Sequence, residues 1–446
     1  MVTTLVLLLG IALLLGLIAV RVPVGFALLA AGTIGLMVYS GTAETSSQLA
    51  TRPYSAVASY SLVLIPMFML MSMFVVQAKV ADDLVLVANR VLRHLPGGLG
   101  MATLAGCAGF AAVTGSSVAT VATMGKVALE QMRRAGYAPA FAGGLIAAAG
   151  TLGILIPPSI VLVLYGILAR VSIGDLLLAG VVPGVLGAAM YGVVILIWAK
   201  RGGITAPLPE LDEAAAAKVE GRLRILGRGM LAVLEIGILF LVVIGGIYSG
   251  IFTATESGAI AAAVALVMFF VLHRGRLRTK WHDLVNALTE TANVSAMVFL
   301  LLIGGSMFTL FLLVMGVPDD VANWLAGLDL PPMLIIVLML LALVPLGMVL
   351  DGFSILLITV PLLAPAVIEL GFHGVWFGIL MVKMIEIGLL TPPVGINVFV
   401  AAGVVRWLPV ETVFRGVVPF LGALIVDVAL LLAFPQLALW LPSLAS

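Results

Sequence analysis

Hydroxyl groups, a carboxylate and paired prolines interrupt otherwise apolar stretches of this sequence at four places. The interruptions are Thr114-Gly115-Ser116-Ser117, Gly153 with Pro157-Pro158-Ser159, Asp351-Gly352, and Gly388 with Thr391-Pro392-Pro393-Val394-Gly395-Ile396-Asn397. Each proline removes a backbone N–H donor and clashes with the carbonyl group one turn earlier, so a diproline leaves carbonyl oxygens unpaired. Such oxygens, together with hydroxyls, can bind Na⁺, while helix N-termini can face an anion. A single diproline is equally well explained as a kink, but a matched pair favours an ion site.

Charged residues inside apolar segments have two interpretations each. Asp351 is costly at such a position, and its default interpretation is functional: it would neutralise a bound cation or contact substrate hydroxyls. Capping the N-terminus of a half-helix is compatible with this role and carries equal weight. Lys383 and Glu386 lie three residues apart on one predicted helix, and we prefer a simple pair between them.

The composition predicts an integral membrane protein. The chain has 446 residues, of which 63% are hydrophobic and only 10% are charged, whereas soluble domains contain roughly 25% charged residues. The net charge is +1 and no basic run has interleaved aromatics, so nucleic-acid binding has no support. The single cysteine, Cys107, excludes an intramolecular disulfide or a cysteine-based metal cluster, and the four histidines show no ligand spacing.

Apolar stretches of about 20 residues predict the membrane-spanning helices. They are 2–20, 24–40, 58–78, 138–169, 176–199, 229–248, 254–272, 291–315, 374–405 and 413–437. Two further stretches, 101–125 and 333–368, contain Gly, Ser, Thr or Pro near the middle, and we interpret both as re-entrant hairpins. Irregular backbone at membrane depth is tolerated only inside protein or beside a wet cavity. The expected fold is therefore an all-α polytopic membrane protein with two hairpins, two broken helices and a cavity between them.

We divide the chain into five parts: scaffold helices in 1–100, a first repeat core in 101–199, a linker in 200–228, further scaffold helices in 229–330, and a second repeat core in 331–446. Within the linker, 211–228 is either a surface helix on the lipid headgroups or a solvated connector, with equal weight. All of the 22 lysines and arginines except Arg52, Arg170 and Lys383 fall on one side of this topology. The positive-inside rule makes that side cytoplasmic and places both termini outside.

The two halves of the sequence resemble each other. Leu155-Ile156-Pro157-Pro158 corresponds to Leu390-Thr391-Pro392-Pro393 at a shift of 235. Downstream, Val181-Val182-Pro183 corresponds to Val417-Val418-Pro419 at a shift of 236, and the match continues to Leu186-Gly187 and Leu421-Gly422 with one residue skipped. The first shift also aligns Ser116 with Asp351, so the two hairpin tips are equivalent. The topology places the first hairpin on the cytoplasmic side and the second on the outer side. The halves are therefore predicted to be inverted repeats, as in secondary transporters.

Four motifs occur together: Gly-Ser-Ser at 115–117, Gly-x-Leu-Ile-Pro-Pro-Ser at 153–159, Tyr165-Gly166, and Thr-Pro-Pro-Val-Gly-x-Asn at 391–397. In combination, and over essentially the whole chain, they resemble the large membrane subunit of tripartite ATP-independent periplasmic (TRAP) transporters. The resemblance implies an elevator-type transporter with scaffold and transport domains in the bacterial inner membrane, which would place both termini in the periplasm. It implies import of organic acids, such as C4-dicarboxylates, sialic acid or other sugar acids, coupled to sodium and without an organic cofactor.

The resemblance also implies partners and sites. A periplasmic binding protein would deliver the substrate, and a small four-helix membrane subunit would be a separate chain, with lipid around both membrane subunits. Sodium is expected near Thr114, Gly115, Ser116, Gly153, Pro157, Pro158, Ser159, Asp351, Gly388, Thr391, Pro392, Pro393, Gly395 and Asn397. Substrate contacts are expected at Ser116, Ser117, Asp351, Gly352 and Thr391.

Two alternatives remain. A stand-alone divalent-anion symporter or related ion antiporter of similar design would work without a binding protein. An intramembrane hydrolase using Ser116 or Ser117 would need a base within reach, and no histidine falls in a predicted membrane segment near them. An ATP-driven pump is disfavoured, because Gly125-Lys126 is followed by Val127 and no phosphate-binding loop is formed.

Overall fold

The computed structural model describes residues 2–78, 80–92, 94–201, 219–272, 277–327 and 330–444, and this part of the chain is helical with no β-strand. The first ten helices are α1 Val2–Ala19, α2 Val24–Ser40, α3 Thr42–Val57, α4 Leu64–Gln77, α5 Val80–Leu92, α6 Gly98–Thr114, α7 Ser117–Arg134, α8 Pro139–Thr151, α9 Ile160–Ala169 and α10 Ile173–Lys200. The others are α11 Val219–Phe240, α12 Gly246–Tyr248, α13 Ala254–Leu272, α14 Leu277–Val314, α15 Val317–Ala326, α16 Pro332–Gly347, α17 Gly352–Glu369, α18 Gly374–Leu390, α19 Ile396–Val404, α20 Val410–Ala433 and α21 Gln436–Ser443.

The predicted spans coincide with helices, and seven described helices are long and apolar enough to cross a membrane. Two predicted bounds were wrong. The span 291–315 belongs to α14, a helix of 38 residues that begins at Leu277 and is about 57 Å long at ~1.5 Å per residue. The span 413–437 ends at Ala433, and α21 follows. The helices α3 and α5 were missed because both are too polar and too short for an apolar-run criterion.

The predicted linker, residues 200–228, is only partly described. Residues 211–218 of the predicted surface helix lie outside the described part of the chain. From Val219 onward the backbone is helical and continues without interruption into the predicted span 229–248, through a π-helical segment at Leu241–Gly245. The segment 219–228 is therefore neither a separate surface helix nor an irregular connector, but the first part of α11.

Both predicted hairpins and both predicted helix breaks are confirmed. The first hairpin is α6 and α7, which reverse at Gly115 and Ser116, and the second is α16 and α17, which reverse at 348–351. The first broken helix is α8, a 3₁₀ turn at Leu152–Ile154 and α9, with the diproline between them. The second is α18 and α19, interrupted at 391–395. Both Pro-Pro peptide bonds are cis.

The internal repeat follows from the order of these elements, because α6 to α10 correspond one by one to α16 to α20. Five predicted membrane crossings separate the two hairpins in the described chain. They are the broken helix α8–α9 and then α10, α11, α13 and α14, and the last four are long and apolar enough to cross a membrane. The ten-residue α15 is too short to cross, because ~1.5 Å per residue gives about 15 Å. An odd number of crossings inverts the second repeat relative to the first.

Helices exchange partners between the two repeats. The arm α7 packs against α19 and the arm α17 against α9, while α8 packs against α20 and α18 against α10. These are the reciprocal contacts of two units related by a pseudo-two-fold axis. The motif residue Tyr165 contributes to the exchange, since its hydroxyl donates to the carbonyl oxygen of Gly374 at 2.8 Å.

A second apolar cluster lies apart from this core. It joins α1, α2 and the C-terminal part of α14 through Leu14, Leu28, Phe308 and Phe311. The helices α2 and α14 approach closely, since a Cβ atom built on Gly304 would lie 2.1 Å from the carbonyl oxygen of Gly25. Small residues permit such close helix pairs within a membrane. The division of the chain into scaffold and transport domains stays a prediction.

The crossing of α8 and α20 depends on Gly416. A Cβ atom at Gly416 would lie 1.7 Å from the carbonyl oxygen of Ala140, and the neighbour is backbone that cannot rotate away. Gly416→Val is therefore expected to destabilise the protein by more than the about 1–3 kcal/mol typical of an overpacked core. Fluorescence-detected size-exclusion chromatography of detergent extracts should show loss of the monodisperse peak. Gly422→Val is the matched control, because nothing lies within 4 Å of a Cβ atom there on the same helix; equal yields of both variants would contradict the prediction.

Candidate functional site

The first hairpin tip is a tight reversal between α6 and α7. Gly115 has φ of +58°, a left-handed conformation that favours glycine, and it ends α6. Ser116 caps α7, because its hydroxyl accepts from the Ala119 N–H at 3.4 Å. The Thr114 hydroxyl contacts the Thr120 hydroxyl at 2.9 Å, and that of Thr120 also donates to the Ser116 carbonyl at 2.8 Å.

This tip packs directly on the first helix break. A Cβ atom at Gly115 would lie 2.6 Å from the Pro158 carbonyl oxygen, and one at Gly153 would lie 2.7 Å from the Ser116 carbonyl oxygen. The Ser159 hydroxyl pairs with the Ile154 carbonyl at 2.5 Å and also caps α9 through the Leu162 N–H at 3.3 Å. In the described chain no N–H donates to the carbonyl oxygens of Pro157 or Pro158. The break thus keeps unpaired carbonyls beside the tip, as predicted.

Asn397, which follows the second diproline, reaches the first hairpin tip. Its Nδ2 group donates to the Ser117 hydroxyl at 2.6 Å and to the Ala147 carbonyl oxygen at 3.2 Å. The side chain is fully buried, and its Oδ1 atom has no hydrogen-bond partner among the described residues. The first tip therefore touches both broken helices, and one buried amide oxygen remains available there.

The second hairpin tip is organised by Asp351. This residue caps α17: its Oδ2 atom accepts from the Phe353 N–H at 3.1 Å, and its Oδ1 atom accepts from the Ser354 hydroxyl. The next residue, Gly352, faces both broken helices, because a Cβ atom there would lie 3.3 Å from Ile385 and 4.0 Å from Val161. The two tips are equivalent as predicted, because each packs near a broken helix and each begins its second helix with a capping side chain. Ser116 caps α7, and Asp351 caps α17.

The second helix break differs from the first in its exposure. Pro392 and Pro393 are exposed, whereas Pro157 and Pro158 are buried. The Thr391 hydroxyl donates to the Ile387 carbonyl oxygen at 2.6 Å, and Gly388 packs against the backbone of Gly347 at the end of α16. The second break is therefore open to its surroundings while the first is enclosed by protein.

Four helix N-termini meet in two pairs at these tips and breaks. The first turns of α7 and α19 are joined by the bond between Ser117 and Asn397, and those of α17 and α9 approach at Gly352 and Val161. Helix N-termini carry partial positive charge and unpaired N–H groups, which favour anions. Carbonyl, hydroxyl and amide oxygens, which suit a hard cation, lie beside the first pair. The arrangement can hold an anion and a small cation near each other.

The structure gathers most of the predicted site residues into two neighbourhoods. The first contains Thr114, Gly115, Ser116, Ser117, Gly153, Pro157, Pro158, Ser159 and Asn397. The second tip contains Asp351 and Gly352, with Gly388 on the adjoining helix. Thr391, Pro392, Pro393 and Gly395 lie at the second break, where the two prolines are exposed and Gly395 is buried. The hydroxyls predicted as free ligands all have protein partners, but an oxygen acceptor with two lone pairs can still contact a cation. In the described chain neither Ser116 nor Ser117 bonds to a histidine.

Sequence reasoning missed one polar cluster. Lys383 and Glu386 do pair, with Nζ 3.1 Å from Oε2, but Lys383 also lies 2.9 Å from Oδ2 of Asp427 on α20. The predicted pair is thus confirmed but incomplete. The signal was present, because Asp427 is an acidic residue within the predicted apolar span 413–437, and such a residue has a functional default interpretation.

These features define an all-helical multi-pass membrane protein with inverted repeats, two hairpins and two broken helices. Residues 11–437 match the family model described as "Tripartite ATP-independent periplasmic transporter, DctM component". The chain belongs to this family, as its motifs predicted.

Relatives of known name span nearly the whole chain. It is 35% identical to the C4-dicarboxylate TRAP transporter large permease protein DctM of Pseudomonas aeruginosa over 92% of both chains. Identity is 31% to the sialic acid large permease SiaM of Vibrio cholerae, over 96% of this chain and 97% of that protein, and 31% to the ectoine large permease TeaC of Halomonas elongata, over 98% of both. The fold also resembles the crystal structure of the Alcanivorax borkumensis YdaH transporter, with a TM-score of 0.62, 14% identity and 90% coverage of each chain.

Proposed function

We propose that this large permease subunit imports an organic acid across the bacterial inner membrane together with Na⁺. The observation that carries the proposal is the meeting of helix N-termini with unpaired oxygens at the first hairpin tip. The buried Oδ1 atom of Asn397 has no described partner, and a buried oxygen without a partner costs about 1–3 kcal/mol. A cation bound there would remove that cost.

The cation site of this proposal lies at the first tip and the enclosed break. Its candidate ligands are the Pro158 and Ser116 carbonyls, the hydroxyls of Thr114 and Ser117, and the Asn397 amide oxygen. Gly115 and Gly153 allow the Pro158 and Ser116 carbonyl oxygens to approach closely, because a Cβ atom at either glycine would overlap with one of them.

The organic acid belongs, in this proposal, between the two tips and beside the exposed break. The carboxylate would face the N-termini of α17 and α9, and Ser116, Gly352 and Thr391 would add polar contacts. Asp351 would oppose a bare anion there, so a nearby cation or a substrate hydroxyl must offset its charge. The relatives are named for C4-dicarboxylates, sialic acid, isethionate and ectoine, and a panel of these compounds is the logical set of candidate substrates.

Replacement of Na⁺ by choline is expected to abolish uptake of the labelled acid in proteoliposomes that contain the permease and its partner subunits. The free-energy cost of crossing the apolar core is lower for the anion together with Na⁺ than for the anion alone. If more Na⁺ charge than substrate charge is carried, the membrane potential also drives uptake, at about 2.3 kcal/mol per elementary charge per 100 mV. Replacement of Na⁺ by K⁺ at constant osmolarity controls for ionic strength. Full uptake in choline would refute sodium coupling.

The proposal includes the partners and orientation expected from the sequence. A separate small four-helix membrane subunit and a periplasmic binding protein would complete the transporter, and both termini would lie in the periplasm. Omission of the binding protein is expected to stop uptake. Uptake that persists without the binding protein would favour the alternative of a stand-alone divalent-anion symporter, which is expected to have a similar fold.

A further inference from the structure

The cluster of Lys383, Glu386 and Asp427 lies at the junction of the two repeats. All three side chains are completely buried, and the Lys383 Nζ atom lies 2.9 Å from Asp427 and 3.1 Å from Glu386. The backbone of α10 closes one side, because a Cβ atom at Gly187 would lie 2.9 Å from Nζ and 3.2 Å from the Asp427 carboxylate. The ammonium group thus already occupies the space near both carboxylates.

The cluster contains one cation and two carboxyl groups. No second cation pairs with either carboxylate in the described chain. The Glu386 Oε1 and Asp427 Oδ1 atoms are buried and have no described hydrogen-bond partner. Tyr191 of α10 is close enough to both carboxyl groups to interact with them, and its neutral hydroxyl bonds to the Thr151 hydroxyl of α8 at 3.1 Å. With both carboxyl groups ionised, the cluster would carry one uncompensated negative charge.

An isolated charge of this kind is strongly disfavoured inside an apolar core. Backbone and the Lys383 ammonium leave little room for a metal ion with its full set of ligands, but a proton needs no added volume. Two carboxyl groups that cannot both ionise share one proton, and the proton belongs to the pair. We propose that the Glu386–Asp427 pair is a proton-binding site that holds one proton beside Lys383.

The repeat supports a neutral pair at this place. The shift of 235 aligns Thr151 with Glu386. In the structure, Tyr191 and Asp427 each lie eight residues after the matched prolines Pro183 and Pro419, on helices α10 and α20 that continue through these prolines. The neutral bond between Tyr191 and Thr151 is thus the first-repeat counterpart of the carboxyl pair. The site is distinct from the proposed Na⁺ site, since it uses none of the same residues and its test does not depend on transport.

Infrared spectroscopy of the purified protein in lipid nanodiscs tests the proposal directly. A protonated carboxyl group gives a C=O stretching band that an ionised one lacks. The wild-type protein is expected to show this component at neutral pH, and Glu386→Gln and Asp427→Asn are each expected to lose it, because the remaining carboxylate then pairs, ionised, with Lys383. Glu235→Gln is the control, since Glu235 is another buried carboxyl group with an unpartnered oxygen. This change should leave the C=O stretching band of the Glu386–Asp427 pair in place.

Thermal stability of the same proteins gives a second measurement. The single variants Glu386→Gln and Asp427→Asn retain one cation and one anion, so their Tm values should stay near that of the wild type. The double variant leaves Lys383 without a counter-ion, and its Tm should be well below that of either single variant. Persistence of the infrared component in both single variants, or its disappearance from the wild type when Na⁺ is added, would overturn the proposal. If one single variant fails to fold, the other single variant, compared with Glu235→Gln, still decides.

Discussion

Asn397→Leu is expected to fold and insert but to lose at least about tenfold in its apparent affinity for Na⁺. Leucine has the same branching and number of side-chain heavy atoms as asparagine but supplies no oxygen, and it leaves the Ser117 hydroxyl and the Ala147 carbonyl without the donor that now holds them. A lost hydrogen bond in a buried site costs about 1–3 kcal/mol, and about 1.4 kcal/mol corresponds to tenfold. The measurement is the Na⁺ concentration that gives half-maximal uptake.

The stabilisation of the purified protein by Na⁺ gives an independent measurement, because a bound ligand raises Tm by mass action. The shift in Tm should be present in the wild type and absent from Asn397→Leu. Asn323→Leu on α15 is the matched control, because that side chain is exposed. A folded Asn397→Leu protein with wild-type Na⁺ dependence would remove Asn397 from the cation site.

Asp351→Asn is expected to reduce uptake by roughly ten- to a hundredfold without preventing insertion, since a hydrogen bond to a charged group contributes about 1.5–3 kcal/mol. Asparagine caps a helix N-terminus as well as aspartate does. The substitution therefore keeps the cap on α17 and removes the negative charge alone. Uptake of the labelled acid at saturating Na⁺, normalised to the amount of folded protein, is the measurement.

Asp320→Asn is the control for this second variant, because Asp320 lies in the first turn of α15 and is exposed. Asp351→Leu, which removes both cap and charge, should lower Tm as well as uptake. Wild-type uptake in Asp351→Asn would mean that Asp351 serves only as a helix cap, the alternative that the sequence left open.

The helix breaks were predictable because their cause is local. A single proline can lie within a helix, as Pro183 does in α10, but a diproline removes two adjacent backbone donors and adds two ring clashes. Pro157-Pro158 and Pro392-Pro393 were therefore expected to interrupt their helices. The inversion of the repeats was predictable because it depends only on the number of crossings. The helices α3 and α5 were not predictable by the same reasoning, because neither is a long apolar run. Packing on neighbouring helices, α14 for α3 and α6 for α5, stabilises them.

The candidate site was predictable in its parts but not in its connections. The tips and breaks follow from Gly115, Asp351 and the prolines, which act within a few residues. The bond between Asn397 and Ser117 joins positions 280 residues apart, and nothing in local sequence specifies that pairing. The ion cluster shows the same limit: Lys383 and Glu386 could be paired by helical spacing, but Asp427 reaches them only through the packing of α20 on α18.

The exchange of α7 and α19 between the repeats bears on how such a chain could have arisen. Because Ser117 and Asn397 come from different repeats, neither repeat alone forms the first neighbourhood. An ancestor that encoded a single repeat would have needed two copies inserted in opposite directions, as an antiparallel homodimer of dual topology, before any complete pocket existed. Gene duplication would then have fixed the two orientations and freed each copy to diverge, so that one copy now carries Thr151 and Tyr191 and the other Glu386 and Asp427.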